Sequence, residues 1–113
     1  MNRIGRKPAE IIIQGMAGDT APFRAVYVAV DLTGFVVVAT FDGPTELVLR
    51  SDGPNPRVTI TTTAPSGTPN TVGFTLTSLE TRALLNSSPF RIVYTAPNGD
   101  TWTHYKGRTD FEV

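Results

Sequence analysis

Residues 90–107 read FRIVYTAPNGDTWTHYKG, and the reading of this stretch decides the fold. Two segments, Phe90–Ala96 and Thr101–Gly107, flank Pro97-Asn98-Gly99-Asp100. Asn-Gly suits the left-handed backbone of a tight hairpin turn, so the stretch predicts two paired antiparallel strands. A two-residue loop at Asn98-Gly99 puts Phe90, Ile92 and Tyr94 on one face with Thr103 and Tyr105. The other face then carries Arg91, Val93, Thr95, Trp102, His104 and Lys106. The first set is the core face. The only tryptophan is therefore expected to point outward, unless a register shift or the C-terminal tail covers it.

Upstream, the same kind of short segment recurs, each bounded by turn chemistry. Ala9–Gln14 closes at Gly15 and at Gly18-Asp19, and Pro22–Val30 ends in Asp31-Leu32-Thr33-Gly34. Phe35–Phe41 ends in Asp42-Gly43-Pro44, and Thr45–Arg50 stops at a Gly- and Pro-rich stretch, residues 51–56. Arg57–Thr63 and Thr71–Thr77 alternate cleanly: Val58, Ile60 and Thr62 share one face, as do Val72, Phe74 and Leu76. Alternation with period two means one face on a core and the other in water. Ala25–Val30 and Phe35–Ala39 are apolar on both faces, as in a central strand or a strand that meets another subunit.

One helix interrupts the strands. Thr77-Ser78-Leu79-Glu80 fits a capping box, in which the Thr77 hydroxyl and the Glu80 carboxylate serve each other's free backbone N–H groups. Ser78–Leu85 supplies two turns, with Leu79, Ala83 and Leu84 expected to cover one end of the sheets, and Asn86 and Pro89 to end it. The whole pattern predicts an all-β, immunoglobulin-like antiparallel sandwich of seven or eight strands with one short helix, over residues 9–113. Residues 1–8, with Arg3, Arg6 and Lys7 among Gly5 and Pro8, read as a flexible arm that frays or orders on a neighbouring subunit.

Composition narrows the function. At 113 residues the chain holds one domain, and ten basic residues balance ten acidic ones. Such a chain has no basic field for nucleic acid, and neutrality favours association with a partner or with itself. Cysteine is absent, which removes disulfides, thiolate metal sites and thiol chemistry. No stretch approaches the length of a membrane-spanning helix, and Ile11-Ile12-Ile13 is too short for a signal sequence, so synthesis in a cytoplasm is expected.

Catalytic patterns are thin. His104 is the sole histidine, with no serine near it in sequence, and a serine nucleophile needs a histidine base held by a carboxylate. Neither Gly15-Met16-Ala17-Gly18 nor Asn98-Gly99 has the lysine and helix context of a phosphate cradle. Asp19, Asp31, Asp42, Asp52 and Asp100 lie in turns, where aspartate serves its own backbone; a calcium site at one end of the sandwich is the sharper alternative. No cofactor or metal site is expected. Asn86-Ser87-Ser88 matches a glycosylation acceptor but reads as a helix cap.

The order of these features resembles the small immunoglobulin-like proteins and domains of bacteriophage tails and baseplates, including the N-terminal domain of upper-baseplate proteins. The resemblance rests on Gly18-Asp19-Thr20 entering an apolar strand, Asp31-Leu32-Thr33-Gly34-Phe35 opening the next, residues 73–85, and the hairpin at Pro97-Asn98-Gly99-Asp100-Thr101. It covers residues 18–113. It implies a building block without catalytic residues, carried in a virion: a minor tail, tail-tip or baseplate protein, or else a head decoration protein. Its partners would be other virion proteins or copies of itself. The candidate contacts are Arg3, Arg6, Lys7, Val93, Trp102, His104, Lys106, Asp110 and Glu112. The competing expectation is a carbohydrate-binding module with a platform of Trp102, His104 and Thr95.

Overall fold

The alternating segments form strands at the expected places, with shifted ends. They are β1 (Ala9–Met16), β2 (Ala21–Val26), β3 (Val36–Asp42), β4 (Glu46–Arg50), β5 (Thr59–Thr62), β6 (Pro69–Leu76), β7 (Pro89–Thr95) and β8 (Thr101–Glu112). Helix α1 (Ser78–Ala83) lies between β6 and β7. The structure is a computed structural model, and it describes residues 9–27, 31–43, 46–62, 69–84 and 88–112. The expected arm, with Arg3, Arg6 and Lys7, lies outside these residues, as does the Asn86 cap.

The strands form two sheets, in the orders β1-β8-β7-β3-β4 and β2-β6-β5. The orders β2-β6-β5 and β8-β7-β3 are those of the B-E-D and G-F-C strands of an immunoglobulin sandwich, with β4 added beside β3 and the first strand, β1, placed beside β8. Among the described residues every ladder is antiparallel except one: β1 runs parallel to β8, from Ala9 beside Tyr105 to Met16 beside Glu112. Gly18, Gly34, Gly53 and Gly99, all placed in turns by the sequence, adopt positive φ.

The inner faces meet in an aromatic seam. Phe74 of the smaller sheet stacks on Phe23 at 4.9 Å and meets Phe41 of the larger sheet edge-on at 6.0 Å. Val37, Ala39, Leu49, Val72, Leu76, Ile92 and Phe111 fill the remaining space and are fully buried. Dispersion and loss of apolar surface to water hold these layers together, at roughly 1.5–3 kcal/mol for each large side chain.

Helix α1 is built as expected at its start and differently on its faces. Thr77 Oγ1 accepts from the Glu80 N–H at 3.2 Å, and the Glu80 carboxylate accepts from the Thr77 N–H at 2.8 Å. Arg57 adds a two-pronged ion pair to Glu80, at 2.7 and 2.8 Å, tying the segment before β5 to the helix. These bonds hold the Glu80 carboxyl below its ordinary range, the Arg57 pair being the largest cause. The expected covering side holds for Leu84 and is corrected for Leu79 and Ala83. Leu79 is 74% exposed and Ala83 is exposed, whereas Thr81 and Leu84 are buried. Thr81 Oγ1 donates to the Asp19 carbonyl and accepts from the Gly18 N–H, which turns its side of the helix toward the β1–β2 turn.

The hairpin is corrected too. Its loop has three residues, Pro97-Asn98-Gly99, closed by Ala96 N–H to the Asp100 carbonyl and Gly99 N–H to the Ala96 carbonyl. A two-residue loop would have needed an N–H on residue 97, and proline has none. Pairing therefore begins one residue further out, with Thr95 beside Thr101 and Tyr94 beside Trp102. The register then shifts between Ile92 and Val93, so that Ile92 lies beside Tyr105 and one extra residue, His104, sits in β8. The two offsets cancel along the rest of the ladder.

Candidate functional site

The bulge at His104 changes which side chains share a face. Trp102 and His104, expected outside, turn inward, while Thr103 turns outward beside Val93. Trp102 stacks against Tyr94 at 6.2 Å and meets Phe35 edge-on at 5.9 Å. His104 lies 5.0 Å from Tyr94, 5.3 Å from Tyr27 and 4.7 Å from Tyr105, ring centre to ring centre. A bulge opposes two residues to one and re-aims side chains in this way.

The polar atoms of this cluster satisfy one another. Tyr27 donates to the Tyr94 hydroxyl at 2.6 Å and lies 3.4 Å from that of Tyr105. Trp102 Nε1 donates to His104 Nδ1 at 3.4 Å. Burial pushes the hydroxyls of Tyr27 and Tyr94 far above the ordinary tyrosine value, and it lowers the pKa of His104. The imidazole is thus held neutral between rings. Among the described residues no carboxylate or serine hydrogen-bonds to it, so the relay that would activate a nucleophile is not assembled there. Nor do three His, Asp or Glu side chains among the described residues come together in a way that could hold a metal ion. No described helix is long and apolar enough to cross a membrane.

The sugar platform expected from Trp102, His104 and Thr95 does not come together. Thr95 lies on the opposite face, with its hydroxyl 3.1 Å from that of Thr101. An open groove of about 800 Å³ crosses the outer face of the smaller sheet above Gly73, edged by Thr59, Thr61, Thr75 and Arg24. It contains no aromatic platform on that outer face, since Phe23 and Phe74 point inward.

The larger sheet presents the more distinctive outer surface. Its pairings align Val38 with Val93 and Arg50, Val36 with Thr95, and Thr40 with Val48 and Arg91. The result is a patch of Val36, Val38 and Val93 on the inner strands β3 and β7, continued by Val48 on the edge strand β4. Around it lie ion pairs of Arg91 with Asp42 at 3.5 Å, Arg50 with Asp52 at 2.8 Å and Lys106 with Glu10 at 3.8 Å. Asp110 shares this face opposite Gln14, and Glu112 opposite Met16.

Of the sequence candidates, the structure brings Val93, Lys106, Asp110 and Glu112 to one outer face and removes Trp102 and His104 to the inside. Sequence reasoning missed Val48 on β4 and the exposed pair Ile12 and Met16 on β1. The unbroken run Ile11-Ile12-Ile13 was the available signal, because alternation forces one of its members outward. Neither a known family model nor a curated protein matches this sequence.

Proposed function

We propose that this chain is a non-enzymatic structural component of a bacteriophage particle, placed in the tail tip or baseplate, that works through protein–protein contacts. The observation that carries this reading is the valine patch on the outer face of the larger sheet. An antiparallel sheet with one solvated face normally reads polar there, and here Val36, Val38 and Val93 stand together at its centre. The motif order shared with phage immunoglobulin-like domains supports the virion setting, and the self-satisfied ring cluster around His104 supports a role without catalysis.

Contact through this face is dominated by apolar area. Exposed ion pairs such as Arg50–Asp52 contribute only ~0.2–1 kcal/mol each and weaken with salt. Weak contacts repeated around a ring add up. The test is mass spectrometry of purified particles separated into heads and tails. The chain should be found in the tail fraction at a low, fixed copy number, and Val38→Glu should abolish incorporation without unfolding the domain. Recovery in the head fraction at high copy number would point to a decoration protein instead. Absence from particles would overturn the proposal.

A further inference from the structure

Among the described residues the two sheets have four edge strands, and three of them carry features that discourage pairing with another chain. β5 has only four residues and an irregular register at Thr61/Thr62. β2 carries Pro22 and Arg24, and β4 is five residues long with Glu46 and Arg50 at its ends. Short length, bulges, proline and charge are the usual protections of an edge. β1 has only one of them, the charge of Glu10. It runs for eight residues beside β8 without a register break and contains no proline. Ile12 is 48% exposed and Met16 50%.

The main chain of β1 is oriented for a further ladder. Ala17 N–H donates to the Glu112 carbonyl at 2.7 Å, and a methyl group on Gly107 would collide with the Ile11 carbonyl oxygen. Odd-numbered residues of this segment therefore turn their N–H and C=O toward β8. The alternation of a strand then turns those of Glu10, Ile12, Gln14 and Met16 toward the open edge. Beside that edge is a cleft of about 480 Å³ between the sheets, lined by Ile11, Ile13, Phe23 and Phe111 among others.

We infer that two copies of this chain pair edge to edge through β1, antiparallel about a two-fold axis at Ile12, and so join their larger sheets into one. The edge is complementary to itself in this register. Ile12 lies opposite Ile12 of the second copy, and Glu10 lies opposite Gln14, so no like charges face each other. The pairs 10–14, 12–12 and 14–10 all use open-edge residues and exchange about six main-chain hydrogen bonds. A slip of two residues sets Ile12 against Gln14 and Glu10 against Met16, and loses the apolar match. A balanced formal charge of ten against ten adds no general repulsion. This inference rests on the edge alone and does not depend on the virion reading.

The test is sedimentation equilibrium of the purified chain from micromolar to millimolar concentration, with hydrogen exchange followed residue by residue. A monomer–dimer equilibrium is expected, in which the amides of Glu10, Ile12 and Gln14 gain protection as concentration rises. Ile12→Lys should weaken the dimer by ~10-fold or more, since like charges then meet across the axis. Val48→Lys, on the opposite edge strand, should leave it unchanged. A monomer throughout overturns the inference, as does a dimer that responds to Val48→Lys and not to Ile12→Lys. Concentration-independent protection of the even-numbered amides would mean that the chain's own residues cover the edge, and overturns it too.

Discussion

The Tyr27 hydroxyl donates to the Tyr94 hydroxyl across 2.6 Å, so a polar bond joins the chain leaving β2 to the C-terminal end of β7, on opposite sheets. Tyr94 is 1% exposed, and its other surroundings at this end of the sandwich are rings: Trp102, His104 and Tyr27 itself. The bond sets the distance between the layers where aliphatic packing gives way to aromatic packing.

Tyr27→Phe should therefore cost more than one ordinary hydrogen bond. The substitution keeps the ring but leaves the Tyr94 hydroxyl without its donor in a site that water does not reach. A buried polar group left unpaired costs ~1–3 kcal/mol. Urea unfolding should show that loss with an unchanged slope. Equal stability of the variant and the parent would mean that Tyr94 finds another partner.

The same burial makes the fold sensitive to alkali. Both hydroxyls have pKa values raised above the ordinary 10.0, chiefly by desolvation. A raised folded-state value means that their stabilising effect is complete below pH 10 and is lost as pH rises beyond it, because the unfolded chain releases these protons first. Tyrosinate absorbance from Tyr27 and Tyr94 should appear together with the loss of β-structure in circular dichroism. Titration of Tyr27 and Tyr94 in a chain that stays folded would contradict this.

At the acid side the controlling group is His104. Desolvation lowers its pKa below the ordinary 6.5. Above pH 6.5 the imidazole is neutral in both states, and stability is flat with respect to this group. As pH falls below that value the unfolded chain takes up the proton first, so stability declines until the folded-state pKa is passed. His104→Gln should flatten the stability profile between neutrality and the onset of carboxylate protonation. A second decline at lower pH should remain in both proteins, because Glu80, whose pKa is lowered by Arg57, loses its contribution there. An unchanged profile in the variant would show that His104 titrates freely.

Much of this arrangement is legible in the sequence where a local rule decides it. Thr77 and Glu80 stand at capping-box spacing and form the box, and Val72, Phe74 and Leu76 are all buried as their spacing requires, although Thr71, on the face read as solvated, is buried as well. Leu79 illustrates the limit. Which side of a six-residue helix is buried depends on what that helix is tied to, and the tie is Thr81 to Gly18 and Asp19, more than sixty residues away in the chain. The hairpin register is an instructive case between the two. Pro97 lacks the N–H that a two-residue loop would need, so the three-residue loop was readable from one residue. The bulge at His104 was not, since nothing in Thr103-His104-Tyr105 marks it. It brings Trp102 and His104 inside and leaves the valine patch as the outward feature. The parallel course of β1 was equally hidden, because which strand an edge segment joins is a matter of tertiary packing.

That parallel ladder can be probed through two glycines. In Gly15 an added methyl group would meet the Phe111 ring carbons at 3.8 Å, an ordinary contact, and the backbone there has no positive φ. Gly15→Ala should be neutral or stabilise by ~0.4–1 kcal/mol, because alanine restricts the unfolded chain. Gly107 is the opposite case. A methyl group there would overlap the Ile11 carbonyl oxygen, a main-chain atom that cannot turn aside like a flexible side chain. β1 must then move off β8, and the cost of overpacking, ~1–3 kcal/mol, outweighs the entropic gain. Gly107→Ala should lower the thermal midpoint by roughly 4 °C for each kcal/mol lost. In hydrogen exchange, the Ala17 amide, which bonds to Glu112, should lose protection before the Val37 and Ile92 amides of the central strands do. If Gly107→Ala and Gly15→Ala had the same effect, close approach of Ile11 to β8 would not be what requires glycine at position 107.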